Sequence, residues 1–397
     1  MSSRLYLNAL GIISPLGDGC QQNFKAMLRG DQNGMVLTDK YTPGQFETLG
    51  MIQGEVLPLP DLPIPFRSRN NRVLLHAFRQ IEDDVAQAIE RYGPSRVGII
   101  VGSSTSGVEE SERAIAYKKK QGHFPDGYHF NQQEIGSPAL FLKAFLGLKG
   151  PAYTVSSACA SGGKSFAAAA RLINMGLCDA VIVGGADTLC ALTVAGFRSL
   201  QAVSDTICNP LSQNRNGTNI GEGSALFLMS KEQAPVEFLG AGESSDAHHI
   251  SAPDPSGAGA EIAMGRALTD AKVMAEDVLY LNLHGTATEL NDRMETAAIN
   301  RIFSNPPLLS STKPLTAHTL GAAGAIEAGL VWLSLMNAAS HIQLPPHLYD
   351  GELAQDMGEL SLVETQKSYK ISSRVIVMSN SFAFGGSNVS IILGREM

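Results

Sequence analysis

Two hydrophobic patterns alternate along the chain. Short runs are apolar at nearly every position, as in Val97-Gly98-Ile99-Ile100-Val101 and Ala180-Val181-Ile182-Val183-Gly184-Gly185-Ala186. Such runs predict strands buried on both faces. Between them, Leu74, Leu75, Phe78, Ile81, Val85 and Ile89 recur at helical spacing, which predicts one amphipathic helix over residues 73–92. Residues 109–121 and 137–146 predict two further helices, and residues 30–65 a long loop. A second series begins at Val236-Glu237-Phe238-Leu239. It repeats the order of the first: strand, helix, buried strand, helix, strand-to-helix bend, final strands. The repeat is one of element order, not of residues. It predicts an α/β fold of mainly parallel sheets covered by helices, with halves at residues 1–232 and 233–397.

The sharpest local signal lies at residues 152–175. Ala152-Tyr153-Thr154-Val155-Ser156 has the content of a short buried strand. Cys159-Ala160-Ser161-Gly162-Gly163 supplies small residues for a tight bend. The alanine-rich run from Lys164 to Met175 reads as a helix, with Gly176 as a left-handed cap. Cys159 is thereby expected at a helix start, where free N–H groups and the helix dipole favour a thiolate and an oxyanion. The alternative is a buried, inert cysteine. In the second half His318 occupies the equivalent bend, so a pseudo-twofold relation would bring both helix starts to one central pocket.

Composition narrows the classes. A chain of 397 residues with 44% hydrophobic residues can bury a large core. No uncharged apolar run reaches the eighteen residues of a membrane span. The N-terminal run from Met1 to Leu7 lacks the apolar core of a secretion signal. Cys20, Cys159, Cys178, Cys190 and Cys208 are odd in number and without metal-type spacing, which fits a reducing cytoplasm. A net charge of −8 argues against nucleic acid as the main partner. Arg67, Arg69 and Arg72 still form a local basic cluster, either a docking patch or an ordinary solvated helix start.

Four motifs carry chemistry: Ala158-Cys159-Ala160-Ser161-Gly162; His284-Gly285-Thr286-Ala287-Thr288 with Asp292; Lys313 with Thr316-Ala317-His318 and Glu327; and Asn380-Ser381-Phe382-Ala383-Phe384-Gly385-Gly386. In this order they resemble the β-ketoacyl-acyl-carrier-protein synthases, condensing enzymes of the thiolase fold. The resemblance spans the whole chain. It implies duplicated αβ halves in a five-layer α-β-α-β-α arrangement. It also implies that Cys159 takes an acyl group from a carrier thioester, while the backbone amides of Cys159 and Phe384 hold the oxyanion. His284 and His318 would stabilise the enolate left when a malonyl extender loses CO2. Lys313 and Glu327 resemble the supporting pair, with a plain salt bridge and a helix-face carboxylate as alternatives. Phe384 would gate the acyl chain, or else be a core aromatic. Asp292 and Glu295 would order the His284 loop.

The resemblance further implies no metal and no cofactor, and an acyl carrier protein docking near Arg67, Arg69 and Arg72. It implies either a homodimer or a heterodimer with a chain-length-factor-like homologue. Overall similarity leans towards fatty-acid or polyene synthesis, aryl polyenes included. Two other readings stay open. One is a tunnel-shaping chain-length factor, against which Cys159, His284 and His318 together argue. The other is a thiolase-type enzyme acting on acyl-CoA, against which the absence of any cysteine after Cys208 argues. Ala317 and Ala383 stand where the family usually has glycine, each adding a methyl beside the site.

Overall fold

The computed structural model describes residues 4–371 and 373–397. Residues 1–3, the start of the run read as lacking a secretion signal, lie outside the described residues. Leu5–Ser14, Gly223–Ser230, Ala180–Asp187, Val97–Gly102 and Ala152–Val155 lie side by side in one half of the sheet path. Glu237–Ser245, Ser387–Glu396, Arg374–Phe382, Val278–Asn282 and Leu308–Ser310 repeat that order in the other, with Ser361–Leu362 added at the edge. Directions repeat too. In each half the first two pairings are antiparallel and the next two parallel. The half-sheets join where Leu5 and Tyr6 pair with Phe238 and Glu237.

The duplication read from element order is therefore present in strand order and in strand direction. The expected mainly parallel sheets are not. Gly223–Ser230 and Ser387–Glu396 run antiparallel to both of their neighbours. Gly223–Ser230 escaped the pattern because Gly-Ser-Ala-Leu-Phe-Leu-Met-Ser holds no β-branched residue. Two other expectations also need correction. Residues 73–92 form two helices, Arg69–Arg79 and Glu82–Tyr92. At the break, the Gln80 side chain accepts from Ile12 N at 2.9 Å and donates to Ile12 O at 3.1 Å. Within the expected loop at 30–65, Met35–Thr38 pairs with Glu47–Gly50 as a hairpin.

The helices Ser161–Asn174 and Ala323–Met336 form the middle layer, each packed against strands of both half-sheets. Arg69–Arg79 and Ser137–Leu146 cover the first half-sheet from outside, and Ala258–Ala271 covers the second. This is the five-layer α-β-α-β-α arrangement. Ala323–Met336 is buried at every position from Ala323 to Leu335, as a helix with neighbours on all sides must be. Small residues let the two middle helices touch backbone to backbone. A Cβ built on Gly162 would lie 2.8 Å from Ala325 N, and one on Gly324 2.8 Å from Gly163 N. Among the described residues, no helix is long and apolar enough to cross a membrane.

Candidate active site

Cys159 sits in the bend between the strand Ala152–Val155 and the middle helix Ser161–Asn174. Ser161 fastens the bend: its Oγ accepts from Ser157 N at 2.8 Å and donates to Ala158 O at 2.6 Å. His318 follows the short helix Lys313–Thr316 and precedes the other middle helix. Its Nε2 lies 2.9 Å from Cys159 Sγ. His284 follows the strand Val278–Asn282, its ring centroid 5.3 Å from that of His318 at an interplanar angle of 84°. All three side chains are buried. They line one cavity of about 250 Å³, together with Phe197, Phe384 and Thr286.

Backbone clamps hold the histidines. His318 N donates to Asn219 O at 2.7 Å, and Gly221 N donates to His318 O at 2.9 Å. Asp187 accepts from Gly321 N at 2.6 Å and from Ser103, Ser104 and Thr105. It so ties the His318 segment to the first half. Glu295 accepts from His284 N at 2.9 Å and Gly285 N at 2.8 Å. Asp292 accepts from Leu211 N at 2.8 Å and Ala287 N at 3.2 Å. Both carboxylates thus brace the His284 loop, as expected. Lys313 Nζ donates to Glu327 Oε1 at 2.5 Å, and both side chains are buried.

Burial dominates the electrostatics. It pushes the Cys159 thiol up to about 11, against the opposing pull of Lys313 and of the Phe384 and Cys159 amides. Desolvation thus opposes the thiolate expected from the helix start. The same two amides favour negative charge on Sγ, next to where an attacked carbonyl would carry its oxyanion. Burial and then Lys313 hold both histidines well below their ordinary 6.5, with His318 adding to the effect on His284. Burial thus favours the neutral forms of the thiol and of both imidazoles. Such a pair delivers a nucleophile when the proton leaves with the attack, without holding a charge beforehand.

Phe384 stacks on Phe197 with centroids 5.4 Å apart, and Phe197 meets His318 edge-on at 6.3 Å. Gly385 and Gly386 follow with φ of 84° and 78°. Phe197, Asp187 and Asn219 were not singled out from the sequence. The one available signal was Asp187, a carboxylate ending an all-apolar strand. The three arginines lie elsewhere, along a second cavity that shares no lining residue with the first. Arg67 pairs with Asp61 at 2.9 Å, and Arg72 donates to Val56 O at 2.7 Å. Arg69 turns inward onto buried Glu222, so its charge is already matched.

The β-ketoacyl synthase N-terminal domain matches residues 68–234, and the β-ketoacyl synthase C-terminal domain matches residues 236–348. The chain belongs to the β-ketoacyl synthase family. The 3-oxoacyl-(acyl-carrier-protein) synthase 2 of Coxiella burnetii is 31% identical over 99% of this chain and 98% of that one. Its counterpart in Vibrio cholerae is 29% identical, over 99% of each. Among solved structures, a chain from the complex of the ketosynthase ApeO with its chain length factor ApeC, from Xenorhabdus doucetiae, is 43% identical. It superposes with a TM-score of 0.92 and covers 99% of this chain and 98% of its own. A β-ketoacyl synthase from Burkholderia phymatum gives 28% identity and a TM-score of 0.84, over the full length of both. As a β-ketoacyl synthase, the chain is an acyltransferase of the thiolase fold that elongates acyl chains by condensation.

Proposed function

We propose that Cys159 is the acylated nucleophile of an elongating ketosynthase. The observation that carries this reading is the 2.9 Å approach of His318 Nε2 to Cys159 Sγ, with His284 in the same cavity. Sγ attacks the carbonyl carbon of an acyl-carrier thioester. The carrier thiol leaves with the proton, His318 Nε2 standing in its path. The oxyanion between these steps is held by the amides of Cys159 and Phe384. A malonyl thioester then binds, its carbonyl oxygen accepting from His284 and His318. Loss of CO2 leaves an enolate, which attacks the acyl carbon on Cys159. A carbon–carbon bond forms, and Sγ departs with the bonding electrons and takes up a proton from solvent to restore the thiol. Lys313 and Glu327 set the field around the imidazoles, and Phe384 moves aside as the acyl chain enters.

The carrier protein docks where Arg67 and Arg72 face outward, Arg69 bracing that wall from within. The chain works in the cytoplasm, in halves meeting at residues 232 and 233, as the active member of a dimer. A chain-length-factor-like homologue is the favoured partner, since the ApeO structure is a complex of that kind. Intact-mass spectrometry tests the central claim. The wild-type chain should gain one acyl group from an acyl-carrier, and Cys159→Ala should gain none and lose condensation. Condensation by Cys159→Ala would overturn the assignment.

A further inference from the structure

We propose that Cys159, His284 and His318 bind one divalent ion of zinc's class, and that the bound ion blocks the cysteine. Cys159 offers a thiol sulfur, and each histidine an imidazole nitrogen. These three donor atoms all lie within 4.8 Å of one another, the only such grouping with a cysteine and two histidines among the described residues. Tetrahedral zinc, with bonds of about 2.3 Å to sulfur and about 2.0–2.1 Å to nitrogen, spaces its ligands roughly 3.3–3.6 Å apart. The 2.9 Å contact between Cys159 Sγ and His318 Nε2 lies below that range and the 4.8 Å limit above it. Side-chain shifts on the order of 1 Å therefore close the site. Neither ring is fixed in place at Nδ1, which in both histidines is buried and without a hydrogen-bond partner.

Ligand type and charge agree with the geometry. One sulfur and two imidazoles suit zinc and its neighbours, whereas magnesium and calcium prefer oxygen. Three protein ligands leave a fourth position facing the cavity of about 250 Å³, with room for water. Lys313 does not repel the ion unopposed, because Glu327 Oε1 meets its Nζ at 2.5 Å. On binding, the Sγ–H bond breaks, an Sγ–metal bond forms and the proton goes to solvent. No electron changes hands. A metal-bound sulfur cannot attack a thioester, so the ion competes with the acyl group. Only this competition rests on the acyl-transfer reading.

The test uses the purified full chain in two measurements. In the first, zinc is titrated against a chromophoric chelator. The wild-type chain should take up one zinc, and Cys159→Ser and His284→Asn should each weaken binding roughly 100-fold or more. Losing even an outer hydrogen-bond partner of a ligand costs about 10–100-fold. Circular dichroism melts show whether each variant is folded. In the second, zinc should protect Cys159 from iodoacetamide, and EDTA should restore labelling. Equal zinc affinity in wild type and both folded variants would overturn the proposal, as would unprotected labelling at saturating zinc. Failure of the acyl-transfer reading shows separately, as a missing acyl adduct, because neither measurement uses a carrier substrate.

Discussion

The methyl group of Ala317 fills the space that a side chain at Gly50 would need: a Cβ built on Gly50 would lie 2.5 Å from it. Ala317 itself stands at φ 56°, ψ −177°, a region essentially reserved for glycine and costing another residue about 1–3 kcal/mol. The next residue is His318, clamped by Asn219 and Gly221. Ala317→Gly should therefore relieve strain. The gain exceeds the roughly 0.4–1 kcal/mol that glycine's freedom adds to the unfolded chain. Urea unfolding should show a variant about 1 kcal/mol more stable, with Cys159 still acylated. A variant less stable than wild type would mean that the methyl's contacts outweigh the strain.

Gly50 and Ala317 should also be coupled. Gly50→Ala drives a Cβ against the Ala317 methyl and against Thr316 O, 2.7 Å away. Overpacking of this kind costs about 1–3 kcal/mol. Part of the cost should vanish when Ala317 is already glycine, giving a coupling energy of about 1 kcal/mol in a double-mutant cycle. Strict additivity would show that the two residues do not share the space.

Cys159 should behave as a thiol in the resting enzyme. Burial raises it to about 11, so only a small thiolate fraction exists at neutral pH, growing tenfold with each pH unit. Iodoacetamide labelling of Cys159, read by peptide mass spectrometry, should keep rising between pH 7 and 9.5 without a plateau. A plateau near pH 7 would mean that Lys313 and the two amides overcome desolvation.

The protonation of Cys159 is one of the points the sequence does not reach. The four motifs were legible because reactive residue types stood in family order, and the duplication because apolar strands and helices recurred in sequence. The charge state of Cys159 was not, since it turns on how deeply the bend is buried, and burial comes from residues far along the chain. Gly223–Ser230 was missed for want of β-branched residues. Phe197 was missed because nothing local tells a stacking partner of Phe384 from any helical phenylalanine. Arg69 looked like a free surface charge, and only the fold brings Glu222 to it.

Glu295 should make stability depend on pH. Burial outweighs the donors from Gly285, His284 and Asn380 and lifts its carboxyl from 4.5 to about 7. The folded protein then binds the proton more tightly than the unfolded chain. The associated stability is complete below about pH 4.5 and lost as pH rises through about 7. At about 1.4 kcal/mol per pKa unit, the change is roughly 3 kcal/mol. Glu295→Gln removes the titration. Its stability relative to wild type, from denaturant midpoints, should therefore climb between pH 5 and 7.5. A constant difference across that range would show that the carboxylate is ionised throughout.

The approach of the two middle helices should be what sets the Cys159–His318 distance. Gly162 lies one helical turn beyond Cys159, facing Ala325, which lies two turns beyond His318. A methyl on Gly162 would meet Ala325 N at 2.8 Å and Gly321 O at 3.0 Å. Both contacts are backbone, so neither can swing away, and the helices must part. Gly162→Ala should cost about 1–3 kcal/mol and also draw Sγ away from Nε2. Acylation of Cys159 should slow on the order of tenfold or more even well below the melting temperature, since a misplacement of about 1 Å can cost 10²-fold. Wild-type acylation in a destabilised Gly162→Ala would show that the bends hold their geometry independently of the helices behind them.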